Sequence, residues 1–171
     1  MADGTDRRFV VIANPHAGRG QAEIVLRQVV AALQEAGAQA GGELTPSLGH
    51  AADLAGAAAA DGAVAVAVGG DGLVRAVAAG ASRHHGTVGL VPAGRGNDFA
   101  RTVGIAKEDI DGNIRTLLEA DPRPTDCIAV SGAASRLAHP GADATTDVAL
   151  GNVYAGFDSL SNVTANALRF N

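Results

Sequence analysis

An α/β fold is predicted, a doubly wound parallel sheet followed by the start of a β-rich second domain, and three observations predict it. Short β-branched runs alternate with helix-patterned segments over the first two thirds of the chain. Each run stops at a turn-forming residue: Asn14, Pro46, Gly69 or Pro92. The composition is 47% hydrophobic but only 3% aromatic, with 23 glycines, so a core has to be built from Ala, Val, Leu and Ile around tight backbone turns.

Arg8 to Ala13 is a β-branched run that stops at Asn14-Pro15, the pattern of a strand covered on both faces. From Gly20 to Ala36, Ile24, Val25, Val29, Ala32 and Leu33 recur at helical spacing, and Gly37 follows as the C-cap. A weaker strand, Ala38 to Leu44, precedes Thr45-Pro46, and the Ala-rich segment His50 to Ala60 favours helix until Asp61-Gly62 turns the chain. Val64 to Val68 is the clearest strand. Beyond a four-residue turn at Gly69 to Gly72, Leu73 to Ala81 reads as helix, and Thr87 to Val91 as another buried strand. This β-α-β-α-β-α-β order implies parallel strands joined by right-handed crossovers. A short helix at Asn97 to Val103 and a further one at Ile110 to Leu118 complete the series.

Helix signals stop near Arg123, and two β-favouring segments follow, Asp126 to Val130 and Asp147 to Tyr154, separated by a low-complexity loop from Ser131 to Thr146. Residues 1–121 therefore read as the α/β domain, and residues 122–171 as the beginning of an incomplete, β-sandwich-like second domain. A length of 171 residues suits one domain with a real core plus such a piece. The two late strands are expected to lack pairing partners, and open strand edges favour association, a homodimer included.

Charge and composition exclude several classes. A formal net charge of −5 argues against a general nucleic-acid binder, because phosphate backbones are held by clustered Lys and Arg. The one cysteine, Cys127, forms no internal disulfide, so a cytoplasmic, reducing compartment is expected. On its predicted strand, Cys127 is expected to be buried and inert. Met1 to Arg8 is polar and charged, unlike a secretion signal. The most apolar window, Ala51 to Val68, contains Asp53 and Asp61, each costing about 2.5–3.5 kcal/mol in mid-bilayer.

Three segments carry chemistry: Asn14 to Gly20, Gly69 to Gly72, and Pro92 to Asp98. Each follows a predicted parallel strand and precedes a helix, so all three emerge at the carboxyl edge of the sheet, where α/β proteins bind ligands. Glycines let backbone N–H groups approach a phosphate, and helix N-termini add partial positive charge there. Asp71 puts a carboxylate in the same turn, which is favourable where it meets a metal, a metal-bound water or a donor hydroxyl. The plainer reading makes Asp71 an N-cap of the helix after it, and Asn97 and Asp98 caps of a helix beginning at Phe99. Arg19, Arg95 and Arg101 are candidate phosphate neighbours. The histidines, His16, His50, His84, His85 and His139, lack metal-ligand spacing and read as loop or surface residues.

The chain has no Gly-Lys-Ser/Thr tripeptide, which excludes a P-loop. A dinucleotide fingerprint fails at Glu23, although Glu43 after the second strand keeps that reading formally open. The combination N-P-x-x-G, T-x-x-x-G-H-A, G-G-D-G and P-x-G-x-G-N-D-F-A-R resembles the diacylglycerol kinase catalytic family, which includes sphingosine and ceramide kinases. It is carried by Asn14, Pro15 and Gly18, by Thr45, Gly49, His50 and Ala51, by Gly69 to Gly72, and by Pro92 and Gly94 through Arg101. Asn152 to Leu160 and Ala165 to Arg169 are similar to the opening of the second domain in actinobacterial members. Two positions depart from the family pattern. Leu73, Val74 and Arg75 stand where Thr and often Asn-Glu follow the G-G-D-G turn, and Arg95 stands where Thr is usual.

The resemblance implies ATP and Mg²⁺ as cofactors, with nucleotide contacts at Asn14, Gly18, Thr45, Gly69, Gly70, Asp71, Gly72, Leu73, Val74, Arg75, Gly94, Arg95, Gly96 and Asn97. It implies phosphorylation of a lipid alcohol, diacylglycerol to phosphatidic acid, with sphingoid-base or ceramide kinase as the alternative and peripheral contact of a cytoplasmic protein with the membrane. Asp71 is the catalytic candidate, orienting a metal-water network or the acceptor hydroxyl, or acting as general base. The family's usual base and metal carboxylates come from the second domain beyond residue 171, so these 171 residues alone are expected to be inactive. From another class, a non-catalytic nucleotide-binding module remains the competing reading.

Overall fold

The computed structural model describes residues 7–15, 21–130 and 147–150. Its elements, in chain order, are β1 (Arg8–Ala13), α1 (Gln21–Glu35), β2 (Gln39–Leu44), α2 (Leu48–Ala60), β3 (Val64–Gly69), α3 (Asp71–Ser82), β4 (Val88–Pro92), α4 (Asp98–Thr102), α5 (Ile110–Glu119), β5 (Ile128–Val130) and β6 (Asp147–Ala149). The first four strands form one parallel sheet in the order β2-β1-β3-β4. The chain thus winds outward from β1 in both directions, as the alternation predicts.

Strand periodicity divides the core into two layers. Val11, Ala13, Val66 and Val68 share one cluster with Leu26, Val29 and Leu33 of α1 and Ile114 and Leu117 of α5. Ile12, Ala65 and Ala67 share the other with Ala51, Ala55 and Ala58 of α2 and Leu73, Val74 and Val77 of α3. Successive strand residues point to opposite faces, so one Val/Ala pattern serves both. An added Cβ at Gly80 would lie 1.9 Å from the Ala52 carbonyl oxygen, so α2 and α3 meet backbone against backbone.

Helix boundaries move from their expected places for local reasons. In α1 the buried face is Ala22, Leu26, Val29 and Leu33, whereas Ile24 is 60% exposed, so that residue leaves the predicted stripe. α2 starts at Leu48 rather than His50, because the Ser47 side chain caps it by accepting from the His50 amide at 3.2 Å. α3 starts at Asp71, two residues early, with Gly70 as N-cap. The expected four-residue turn at Gly69 to Gly72 is therefore absent: strand passes to helix through Gly70 alone.

β5 and β6 pair with each other in antiparallel fashion, Ala129 opposite Val148, so these late strands do not lack partners as expected. β6 packs on α3, and Leu150 packs against the α2/α3 layer. The strand expected at Asp126 begins only at Ile128, and Cys127 lies just outside it, exposed rather than buried. A two-stranded ribbon covers one face at most, which leaves Ile128 47% exposed as well. The strand expected over Asp147 to Tyr154 is seen at Asp147–Ala149, and the rest of that segment lies outside the described residues. Among the described residues no helix is long and apolar enough to cross a membrane.

Candidate functional site

Four strand ends meet along the carboxyl edge. β1 ends at Ala13, next to half-buried Asn14; Gly18 and Arg19 lie outside the described residues. β2 ends beside it, and the Thr45 amide continues the ladder by donating to the Ala13 carbonyl at 2.8 Å. β3 runs straight into α3 at Gly70, and β4 opens into the loop Ala93 to Asn97 that leads to α4.

The β3 and β4 exits are built into each other. A Cβ at Gly94 would lie 2.4 Å from the Gly70 Cα, a contact only glycine permits. The Ala93 amide donates to the Gly69 carbonyl at 3.0 Å, extending strand pairing into the loop. Asn97 closes that loop from within: its Oδ1 accepts from the Gly94 amide and its Nδ2 donates to the Gly94 carbonyl, both at 3.0 Å. Asn97 is buried and takes a left-handed conformation, φ 59° and ψ 44°, which asparagine tolerates better than most residues. It makes no side-chain cap bond on α4. That function falls to Asp71, whose Oδ1 accepts from the Phe99 amide at 3.0 Å.

Asp71 is thus a cap, but of α4 and not of its own helix. Its second oxygen lies beside Gly96, 3.0 Å from where a Cβ would stand, and Asp98 Oδ2 approaches the same point at 4.0 Å. Asp98 is paired with Arg101, whose Nη1 also donates to the Gly96 carbonyl at 2.6 Å, so Arg101 braces the loop. Arg95 is exposed at its tip.

At the start of α3 the donor inventory is short. The Leu73 and Val74 amides both bond back to the Gly70 carbonyl, at 3.0 and 3.1 Å, and both side chains are buried in the α2/α3 layer. Of these early N–H groups, those of Asp71 and Gly72 remain for an anion at the positive end of a 12-residue helix. Arg75 follows on the same helix, half-buried. Thr45 is fully buried, and its hydroxyl serves its own turn, donating to the Ser47 carbonyl at 2.6 Å.

Sequence reasoning missed Lys107. Its Nζ donates to the Gly94 carbonyl at 2.9 Å, across 13 residues, bringing a cation onto the third glycine loop. No motif or spacing marks it. Among the described residues no group of three or more His, Cys, Asp or Glu side chains could hold a metal ion. Two surface concavities lie elsewhere, about 410 Å³ between α1 and β2 and about 290 Å³ at the amino ends of β1 and β2. The glycine loops lie outside both, along the carboxyl edge of the sheet.

Residues 8–130 match the profile of the diacylglycerol kinase catalytic domain. The chain is 34% identical over 129 residues to a diacylglycerol kinase of Bacillus subtilis, covering 74% of this chain and 43% of that protein. It is 36% identical over 130 residues to a Pseudomonas aeruginosa protein named "Probable lipid kinase YegS-like", covering 74% and 41%. The fold is similar to a crystal structure of a diacylglycerol kinase from Bacillus anthracis, with a TM-score of 0.57 and 26% identity over 65% of this chain and 42% of that one. The chain spans less than half the length of these relatives.

Proposed function

The chain belongs to the diacylglycerol kinase catalytic domain family, and from that premise we propose that it supplies the nucleotide-binding wall of an ATP-dependent lipid kinase. One observation carries the reading: the Gly70 and Gly94 backbones are pressed together at the N-terminus of α3, leaving the Asp71 and Gly72 amides at that junction, with open space where a Gly72 side chain would stand. Such a junction suits a polyphosphate.

In this reading the α3 amides, Lys107 and Arg95 hold phosphate charge, while Asn97 and Arg101 keep the loop in shape. Mg²⁺ would be held by the phosphates and by carboxylates from beyond residue 171, with Asp71 Oδ2 placed to orient the metal-water network on this wall, and would offset phosphate charge. Asp71 Oδ1, occupied by the Phe99 amide, holds its carboxylate in a fixed orientation. A fixed carboxylate suits an orienting role better than that of a proton carrier. The acceptor is a lipid hydroxyl, diacylglycerol first, and reaching it requires peripheral contact of a cytoplasmic protein with a membrane surface. Leu73 does not bear on the choice between diacylglycerol and a sphingoid base or ceramide, because its side chain is in the core. Residues 1–121 would be the nucleotide domain, and 122–171 the start of the domain that supplies the acceptor wall. Nucleic acid is not an expected partner, and a homodimer is a further part of the proposal.

Calorimetric titration with ATP, ADP and NAD tests the nucleotide wall, and binding of NAD without ATP would refute it. Transfer of radiolabelled phosphate from ATP to diacylglycerol, sphingosine and ceramide, by a protein extending past residue 171, identifies the acceptor. Transfer to none of the three would favour the non-catalytic module.

A further inference from the structure

We propose that Asn113 of α5, outside every glycine loop, is a positioning residue for the nucleotide site and acts through Lys107. The inference rests on the nucleotide-binding reading above and adds the device that holds one of its cations in place.

Three polar side chains are buried among the described residues: Thr45, Asn97 and Asn113. Thr45 bonds within its own turn and Asn97 closes the third glycine loop, so both are spent at the carboxyl edge of the sheet. Asn113 is the outlier. It stands on α5 directly before Ile114, which shares the core cluster of α1, and asparagine is a poor helix former. Burying its amide is unfavourable unless the amide is bonded. The bond it makes leaves the helix, because Nδ2 donates to the Ala106 carbonyl at 2.9 Å.

That carbonyl belongs to the residue before Lys107. The chain is anchored on both sides of it. Upstream, the Ile105 amide donates to the Ala100 carbonyl at 2.8 Å and closes the end of α4. Downstream, Asp109 opens α5, its Oδ1 accepting from the Gly112 amide at 2.9 Å. Between these anchors Asn113 holds one peptide, and the planar unit containing the Ala106 carbonyl also contains the Lys107 nitrogen and Cα. The bond therefore fixes the plane from which the lysine side chain departs. Lysine carries its charge on a flexible four-carbon stem, so a fixed Cα is what lets Nζ rest at one point, the Gly94 carbonyl 2.9 Å away. Gly94 is where the third glycine loop presses on Gly70. Two hydrogen bonds and one rigid peptide thus connect the interior of α5 to the glycine junction.

Substitution separates positioning from support of the fold. Asn113→Leu keeps the branched shape without the donor, and Asn113→Ala removes the donor without overfilling the site. Ile114→Val trims the neighbouring core position and leaves the Ala106 bond intact, so it reports on stability alone. Calorimetry on the 171-residue chain with ATP and with tripolyphosphate, at low and high salt, compares these proteins with Lys107→Met and with Asn113→Leu/Lys107→Met. Both Asn113 variants are expected to bind the two ligands roughly fivefold more weakly at low salt and to lose less at high salt, as Lys107→Met does, the scale of one exposed charge contact. The double variant is expected to bind no more weakly than Lys107→Met, because the second change removes support from a charge already gone. Ile114→Val is expected to bind as the wild type does. Wild-type affinity in a folded Asn113 variant, losses that multiply in the double variant, or an equal loss in Ile114→Val overturns the proposal. Wild-type affinity in Lys107→Met overturns it together with the share of Lys107 in the site, and no ATP binding by the wild type overturns the nucleotide reading itself.

Discussion

Asp71 Oδ1 accepts the Phe99 amide hydrogen at 3.0 Å, so the first residue of α3 caps the N-terminus of α4, 28 residues away. One carboxylate thereby divides its work, one oxygen fixing the third glycine loop and the other left beside Gly96. The two functions separate by substitution. Asp71→Asn keeps an oxygen for Phe99 and is expected to melt within a few degrees of wild type, whereas Asp71→Ala loses the cap at about 1 kcal/mol. In a complete kinase both are expected to lower turnover about 10²–10³-fold, the effect of removing one positioned electrostatic group. Thermal denaturation and steady-state kinetics on the two variants provide the check; wild-type turnover in Asp71→Asn would leave the residue a cap and nothing more.

Gly72 and Gly94 make opposite predictions although both belong to glycine motifs. A Cβ at Gly72 meets nothing within 4 Å, and the position is helical, so Gly72→Ala is expected to stabilise the fold by roughly 0.5–1 kcal/mol. It is also expected to weaken ATP binding, because the methyl stands where phosphate would approach the amide. At Gly94 the methyl would meet the Gly70 backbone, so Gly94→Ala is expected to cost about 1–3 kcal/mol and to reduce binding with it. Unfolding midpoints and ATP titrations should move in opposite senses for the first variant and together for the second.

These relationships mark where the sequence was readable. β1, β3 and β4 announce themselves because strands covered on both faces are continuous apolar runs, and the glycine loops follow from their position after those runs. Helix starts fall two residues earlier than expected at α2 and α3, since Ser47 and Gly70 act as N-caps and the two residues gained at each start hold only one core contact between them, half-buried Leu48. The Asp71–Phe99 and Lys107–Gly94 bonds join segments through tertiary packing, and no local spacing encodes them. Cys127 was misread because Ile128 and Ala129 suggest a buried strand, whereas the ribbon they enter covers one face at most.

Exposure of Cys127 has a simple chemical test. The thiol is expected to react with an aromatic disulfide reagent in the native state at a rate near that of the unfolded chain, and Cys127→Ser is expected to change stability by less than about 0.5 kcal/mol. Native-state protection that disappears in denaturant would return Cys127 to the interior.

Lys107 joins the site through one bond, and that bond separates a structural from an electrostatic function. The Gly94 carbonyl accepts from both Asn97 Nδ2 and Lys107 Nζ, so the loop keeps an internal brace when the lysine is removed. Lys107 is exposed, and an exposed charged contact adds little to stability. Lys107→Met, which keeps the apolar stem, is therefore expected to leave the melting temperature nearly unchanged. Nucleotide affinity should respond differently, because the ammonium lies against the loop that receives phosphate charge in the proposed site. A cation acting through space loses influence as salt shortens the screening length from about 30 Å at 0.01 M to about 10 Å at 0.1 M. ATP affinity of Lys107→Met should accordingly fall severalfold at low ionic strength, and less at high. Lys107→Arg, retaining charge with different geometry, should recover most of it. Titrations of the three proteins at two salt concentrations read this directly; an equal loss at both, unrestored by arginine, would show that Lys107 only braces the loop.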